Sequence, residues 1–255
     1  MLTSKEIGPF IIIVPLIALC ICLVGVSYTA RKCPLLASTI AIWYILVMVI
    51  AFLNPFHKVD SLEWSENKID DILGIGLMIA GMMVPLIVLY LQFTKSHSVR
   101  SFVLLKEERL YHFQQYNLFR LSGMAFLYLY FTGENQNYAV LHGGICDTTI
   151  AITSIPLFQY IQKHGGLGKW RSVVMAWNFF GLVVDFGLTF ILFLCNFLGY
   201  FQPQYPLAIF LQNPISTIIL LNVPLAAAIH ILVLTKFDTI VEKAGSSDEK
   251  LEIVD

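Results

Sequence analysis

Charged side chains are scarce in this sequence, and their scarcity indicates the class of protein. Asp, Glu, Lys and Arg together make up 13% of the 255 residues, whereas soluble domains carry about 25%. Hydrophobic residues make up 57%. A water-soluble fold of this composition would have too little polar surface, so the composition predicts a protein that lies in a membrane.

Several functional signatures are also missing. The five cysteines show no CxxC-type spacing and lie in or beside apolar stretches, where free cysteine is usually a small apolar filler. Neither HExxH nor an HxxxH pair of histidines is present, although a catalytic zinc needs three protein ligands. These absences disfavour an intramembrane metal-dependent hydrolase. We predict no metal site, no catalytic residue and no cofactor, and we expect no nucleic-acid partner.

Three membrane-protein families are disfavoured in the same way. The last apolar stretch has no lysine before Lys236 at its end, so a retinal Schiff base is excluded. An Asp-Arg-Tyr after the third stretch and an Asn-Pro-x-x-Tyr in the last, both expected of a G-protein-coupled receptor, are absent. The chain also shows no two similar halves, as an inverted-repeat transporter would. A small carrier that works as a homo-oligomer stays open.

What the sequence does contain is seven apolar stretches of membrane length. A helix needs about 20 apolar residues to cross a hydrocarbon core of about 30 Å. Because lipid cannot satisfy backbone N–H and C=O groups, and continuous stretches lack the alternation of barrel strands, we predict helices. The predicted fold is an all-α, polytopic seven-transmembrane-helix bundle. Its seven spans are residues 8–29, 34–53, 72–93, 118–131, 138–161, 173–198 and 214–236.

Lysine and arginine are distributed unevenly between the loops. With the N-terminus outside, the cytoplasmic segments hold twelve of them, and the opposite side holds only Lys5, Lys58 and Lys68. The positive-inside rule therefore predicts an outside N-terminus and a cytoplasmic C-terminus, which requires an odd number of spans. The first stretch is interpreted as a retained helix because Arg31 and Lys32 follow an apolar core longer than that of a typical secretory signal.

The domain organisation is simple. We predict one seven-helix transmembrane domain over residues 1–236 and a polar, acidic, cytoplasmic and disordered tail over residues 237–255. The loop over residues 95–112 interleaves basic and apolar side chains. It predicts an amphipathic helix on the anionic cytoplasmic leaflet, with a protein-docking site as the alternative.

Polar residues inside the last four apolar stretches are the candidate site. A charged group at mid-bilayer costs about 2.5 to 3.5 kcal/mol, so these groups should face the bundle interior and one another. The first three stretches hold none of them, which predicts a packing or gating role for those helices. The candidates for a polar, ligand-binding core are Arg120, Asp147, Asn178, Asp185, Asn222 and His230.

Helical spacing supports a common cavity. Asp147 shares one face with Gly143, Ala151 and Ser154, and small residues beside a carboxylate allow a neighbouring backbone to approach closely. One permanent cation, Arg120, would face two carboxylates. The surplus negative charge requires a proton, a bound cation or a protonated His230.

Structural interpretations apply to His142 and also to Asn222, which is one of the six candidates. His142 is expected near the outer interface as a hydrated surface histidine rather than a ligand. Asn222 precedes Pro224, and we expect its side chain to cap backbone carbonyls at a proline break.

Four segments resemble an uncharacterised family of bacterial multi-pass membrane proteins. They are Asn117-Leu-Phe-Arg-Leu-Ser-Gly123, Gly143-Gly-Ile-Cys-Asp147, Ala176-Trp-Asn-Phe-Phe-Gly-Leu-Val-Val-Asp185 and Ala228-Ile-His230. The family pattern has a shorter glycine-to-aspartate spacing than residues 143–147. The resemblance implies that Arg120, Asp147, Asn178, Asp185 and His230 act as a set, and it supplies no activity.

The functional prediction is a multi-pass protein of the bacterial inner membrane whose polar cavity binds a small polar or ionic ligand, as a proton-coupled transporter or a sensor. Its partners would be the lipid bilayer and that ligand. The first alternative is a structural or assembly protein in which the same residues only hold the helices together. The second is the metal-dependent hydrolase, so an enzymatic role is disfavoured but left open.

Overall fold

The computed structural model describes residues 31–53, 68–104, 107–133, 135–198, 200 and 218–249. Every regular element in these ranges is helical. The α-helices are α1 (Pro34–Leu53), α2 (Lys68–Lys95), α3 (His97–Leu104), α4 (Glu107–Gln115), α5 (Met124–Phe131), α6 (Tyr138–Lys163), α7 (Gly166–Lys169), α8 (Arg171–Phe179), α9 (Thr189–Phe197) and α10 (Val223–Glu249). A 3₁₀ segment covers Tyr116–Gly123, and π-helical segments cover Phe180–Leu188 and Ile218–Asn222.

Three of these helices are long and apolar enough to cross a membrane, as expected of a membrane protein. They are Tyr138–Lys163, Arg171–Asn196 and Ile218–Thr239, and shorter apolar helices cover Pro34–Val47 and Ile79–Lys95. Large apolar side chains also cover the outside of the molecule. A soluble monomer rarely exposes so many of them, whereas lipid accepts such a surface. Examples are Ile42, Ile87, Ile152, Phe179 and Ile191.

The helix α6 carries Asp147 and packs against several of the other helical segments. It begins where Asn137, its N-cap, accepts a hydrogen bond from the backbone N–H of Ala139 at 2.8 Å. Pro156 lies inside it, and the helix continues past the proline to Lys163. The 3₁₀ segment, α5, α9 and the π segment Phe180–Leu188 all pack against α6. It therefore packs against the two segments that carry Arg120 and Asp185.

The fourth predicted span, residues 118–131, differs from the expected single α-helix. Its first half is the 3₁₀ segment, and regular α-helix begins only at Met124. The sixth predicted span is interrupted in a similar way, because the π segment separates α8 from α9. Hydropathy predicted the positions of these helices but carries no information on how tightly each turn is wound.

The basic loop over residues 95–112 forms two short helices, α3 and α4, instead of one interfacial helix. Their apolar side chains Val99, Phe102, Leu110 and Tyr111 are buried in the protein's own hydrophobic core. The prediction of a helix lying on the leaflet is therefore wrong for these side chains, because the bundle itself covers the apolar face.

The helix α10 extends well beyond the predicted boundary at residue 236. It continues to Glu249, and Phe237 is buried in the same hydrophobic core as α3 and α4. Residues 237–249 are therefore helical rather than a disordered tail. The first predicted span, residues 8–29, and residues 250–255 lie outside the described residues.

Two hydrophobic clusters divide the core along the helices. One contains Phe158 of α6 and Leu110 of α4, and the other contains Val140 of α6 and Met82 of α2. Asp147 lies between Val140 and Phe158 along α6, so the candidate polar residues lie where the two apolar clusters meet.

Candidate polar site

The guanidinium of Arg120 connects both intramembrane carboxylates. Its Nε donates to Asp147 Oδ1 at 2.6 Å, and its Nη2 forms an ion pair with Asp185 Oδ2. All three residues are buried. Charge-assisted hydrogen bonds of this kind are about twice as strong as neutral ones. Arg120 therefore joins the 3₁₀ segment to α6 and to the π segment Phe180–Leu188.

A chain of hydrogen bonds continues from Arg120 through His230. Arg120 Nη1 lies 2.8 Å from His230 Nε2, and His230 Nδ1 lies 2.9 Å from Asn178 Oδ1. Asn178 Nδ2 donates to the backbone carbonyl of Val174 at 2.8 Å, so its Oδ1 is the acceptor. Gln114 Nε2 donates to the same oxygen at 3.2 Å. We call these six side chains, Gln114, Arg120, Asp147, Asn178, Asp185 and His230, the Arg120 cluster.

The chain of donors and acceptors determines the tautomer and the protonation state of His230. A guanidinium only donates, so His230 Nε2 must accept with its lone pair, and the ring proton must be on Nδ1. His230 is therefore neutral in this arrangement. The sequence analysis left three ways to cancel the surplus negative charge. A protonated His230 is now excluded. The two alternatives left are a proton on a carboxyl group and a bound cation.

The 3₁₀ geometry aligns Arg120 with its packing partner. At three residues per turn, Asn117, Arg120 and Gly123 lie directly above one another, and all three are buried. A Cβ on Gly123 would collide with Asp147 Cβ. The absence of a side chain at Gly123 thus lets α6 approach closely enough for Asp147 to reach Arg120.

Gly181 likewise allows close packing, in this case against His230. A Cβ there would collide with the imidazole of His230, and Gly181 lies three residues after Asn178 in the next turn. The predicted face Gly143, Asp147, Ala151 and Ser154 is also buried throughout. Small residues therefore set the helix spacing around the charged groups, as the sequence pattern predicted.

Asn222 and His142, for which structural roles were predicted, make contacts that were not predicted. Asn222 lies beside the cluster, and its Nδ2 donates to Ser122 Oγ at 3.1 Å. It links the start of α10 to the 3₁₀ segment across the bundle. His142 is half-buried, with Nδ1 2.8 Å from Thr189 Oγ1 and Nε2 3.7 Å from Cys146 Sγ. The hydrogen bond to α9 was not predicted, and the expectation of a hydrated histidine near the outer interface stays a prediction.

A cavity adjoins the charged end of the cluster. Arg120, Asp147, Asp185 and Thr189 line its polar end, and the other walls are mainly apolar, with the rings of Phe126, Phe186, Phe190 and Phe193 among them. The space open to the centres of water-sized molecules is about 80 Å³. One water needs about 10 to 15 Å³ by this measure, so the cavity holds several small groups.

Three contributors to the site were missed by the sequence analysis. Gln114 lies before the fourth apolar stretch, where a polar residue was counted as loop, yet it is fully buried. Trp177 packs edge-on against His230, with ring centroids 5.4 Å apart. Thr189 lies one helical turn beyond Asp185, a spacing that could have revealed it.

Among the residues that the structure describes, no group of three or more His, Cys, Asp or Glu side chains could hold a metal ion. Arg120 occupies the position between the carboxylates and the imidazole. The arrangement around Arg120 supports ion pairing, hydrogen bonding and proton exchange at a carboxylate.

Comparison with known proteins adds no further assignment. The chain matches no protein-family model, no curated protein and no solved structure. The resemblance of residues 117–123, 143–147, 176–185 and 228–230 to a bacterial membrane-protein family stays a prediction, and the arrangement of the Arg120 cluster is the basis for any statement about function.

Proposed function

We propose that this chain is a seven-helix protein of the bacterial inner membrane, with its N-terminus outside and its C-terminus in the cytoplasm. We propose further that the Arg120 cluster binds a small polar or ionic ligand at the charged end of the cavity. Binding is coupled to protonation of Asp147 or Asp185, as in a proton-coupled transporter or a sensor.

The charge balance of the cluster is the observation that carries this proposal. One guanidinium contacts two carboxylates, and the hydrogen-bond chain makes His230 neutral. An uncompensated charge in a membrane interior costs several kcal/mol. A cluster serving only to hold helices together would be more stable with one carboxylate fewer. The surplus carboxylate beside a cavity supports a role in ligand or proton binding.

Variants that neutralise one carboxylate distinguish ligand binding from a structural role. Asp185→Asn and Asp147→Asn leave the cluster without surplus charge, so we expect the folded yield and the Tm in detergent to be unchanged or higher. A screen of small polar and ionic compounds should raise the Tm of the wild-type protein saturably for at least one compound, and Asp185→Asn should lose that response. The matched control is Asp238→Asn, a surface carboxylate that pairs with Arg171.

The structural alternative predicts the opposite result. If the aspartates only hold the helices together, both substitutions should collapse the folded yield, and no compound should change the Tm of the wild-type protein. Reporter fusions after residues 31–32, 95–106 and 163–171 test the proposed orientation, since all three segments should report a cytoplasmic position.

A further inference from the structure

We infer that the ligand of this cavity is a small organic cation, an ammonium compound that carries one ring, and that it exchanges with a proton. The inference rests on the proposed function, because it names the ligand class of the same site. Four observations support it: the charge of the Arg120 cluster, the remaining oxygen of Asp185, the aromatic walls and the cavity size.

The charge of the cluster favours a cation over an anion or a neutral molecule. Arg120 compensates one of the two carboxylates, and the second has no cationic partner within the described part of the chain. An ammonium group would complete the neutralisation. An anion would add to the surplus and would have to displace a carboxylate from Arg120.

The carboxylates retain acceptor capacity for such a group. Asp147 uses Oδ1 on Arg120, and Asp185 uses Oδ2. Of their other oxygens, Asp147 Oδ2 lies against Gly123, and Asp185 Oδ1 has no hydrogen-bond donor among the residues that the structure describes. Both residues are more than nine-tenths buried and line the cavity. An ammonium group carries three donors and can bond to the remaining oxygen of Asp185.

The cavity walls suit a cation that carries an apolar ring. Phe186 and Phe190 stand side by side with centroids 6.4 Å apart and planes 12° from parallel, and both line the cavity. The face of an aromatic ring attracts a cation, and the attraction is stronger away from water. The same rings would bury the apolar part of the ligand.

The size of the cavity is compatible with such a ligand. A volume of about 80 Å³ for the centres of water-sized molecules corresponds to roughly five to eight such positions. One six-membered ring with an aminomethyl group can be accommodated in this space, and a larger ligand would extend out of the open side of the cavity.

Exchange with a proton follows from the charge balance. Without an organic cation, one proton on a carboxyl group neutralises the cluster. When the ammonium group binds, that carboxyl group releases its proton to solvent, and the ammonium takes over the neutralisation. One cation enters and one proton leaves, so the charge of the site is the same before and after.

Three probes of nearly identical shape test the inference on the full-length protein in lipid nanodiscs. They are benzylammonium, benzyl alcohol and benzoate, which are positive, neutral and negative. We expect benzylammonium to bind at least about tenfold more tightly than benzyl alcohol and benzoate not to bind. Calorimetry in two buffers with different heats of ionisation should show the release of about one proton per bound cation.

Two variants with controls assign the binding to this cavity. Asp185→Asn should abolish the preference for the cation and the proton release, whereas Asp238→Asn should retain both. Phe190→Leu should weaken benzylammonium binding roughly fivefold, because it removes a ring face and keeps apolar volume. Phe131→Leu is its control, since Phe131 is 75% exposed and does not line the cavity.

The possible failures can be told apart. Equal binding of benzyl alcohol and benzylammonium, or binding without proton release, would overturn the cation inference while leaving ligand binding intact. Binding of none of the three probes would also overturn it, and the wider compound screen then decides whether the cavity binds another class of ligand.

Discussion

Two arginines of this chain pair with aspartate in opposite surroundings. Arg120 is 5% exposed and contacts two carboxylates and an imidazole. Arg171 Nη2 lies 3.0 Å from Asp238 Oδ2, and both of these side chains are more than half exposed. The surface pair is solvated with or without its partner, so it contributes about 0 to 1 kcal/mol to stability. The buried groups have no solvent to return to, so each depends on the others.

The comparison of the two arginines shows that stability alone does not explain the buried cluster. Burying several charges costs more desolvation energy than simple apolar packing would, and such clusters are often no more stable than hydrophobic replacements. Stability therefore explains neither the presence of the Arg120 cluster nor its second aspartate. The surface pair between Arg171 and Asp238 needs no functional explanation.

The largest expected effect is the loss of Arg120. Arg120→Met leaves two carboxylates buried without a cation, and we expect a loss of about 3 to 5 kcal/mol in the free energy of unfolding, or no folded protein. Arg171→Met should change it by less than about 1 kcal/mol. Folded yield and unfolding in mixed micelles measure both.

A combined variant sharpens this prediction. Adding Asp147→Asn and Asp185→Asn to Arg120→Met removes every formal charge of the cluster, so most of the lost stability should return. If the triple variant remains as unstable as Arg120→Met, shape rather than charge controls the site.

The second-largest expected effect concerns the glycines that allow the helices to pack closely around the cluster. Gly181→Ala places a methyl group against the His230 ring, so the helices must separate, at a cost of about 1 to 3 kcal/mol. Gly76→Ala on α2 has nothing within 4 Å of the new methyl group and should be neutral or slightly stabilising. Thermal unfolding of both variants measures the difference. Equal Tm values would show that the backbones around His230 are not closely packed.

The smallest effect is the coupling between Arg171 and Asp238. A double-mutant cycle with Arg171→Gln and Asp238→Asn should give about 0.2 to 1 kcal/mol, and the coupling should decrease in high salt because the charges are solvated. A coupling of several kcal/mol would contradict the distinction between the two arginines.

The convergence of the site follows from the sequence because lipid leaves charged groups few alternatives. Arg120, Asp147 and Asp185 lie in separate apolar stretches, and in a membrane each must turn toward the others. Small residues on the same helical faces, such as Gly123, indicate which faces meet. These two arguments need only composition and spacing.

Other parts of the site could not be predicted in this way. Gln114 precedes its apolar stretch, so hydropathy places it in a loop. The tautomer of His230 depends on the contact between its Nε2 and the Arg120 guanidinium, which the sequence alone does not reveal. The extension of α10 to Glu249 was missed because a polar segment can be a solvated helix as well as a disordered tail, and hydropathy does not distinguish them.

The 3₁₀ segment also changes the length that this part of the chain covers along its helix axis. Tyr116–Gly123 and Met124–Phe131 are two eight-residue elements, which would measure about 24 Å together as regular α-helix. The larger rise of the 3₁₀ turn lengthens them to about 28 Å, close to the thickness of a hydrocarbon core of about 30 Å. In the proposed seven-helix arrangement, a backbone stretched in this way would let this short apolar sequence match the bilayer without thinning it.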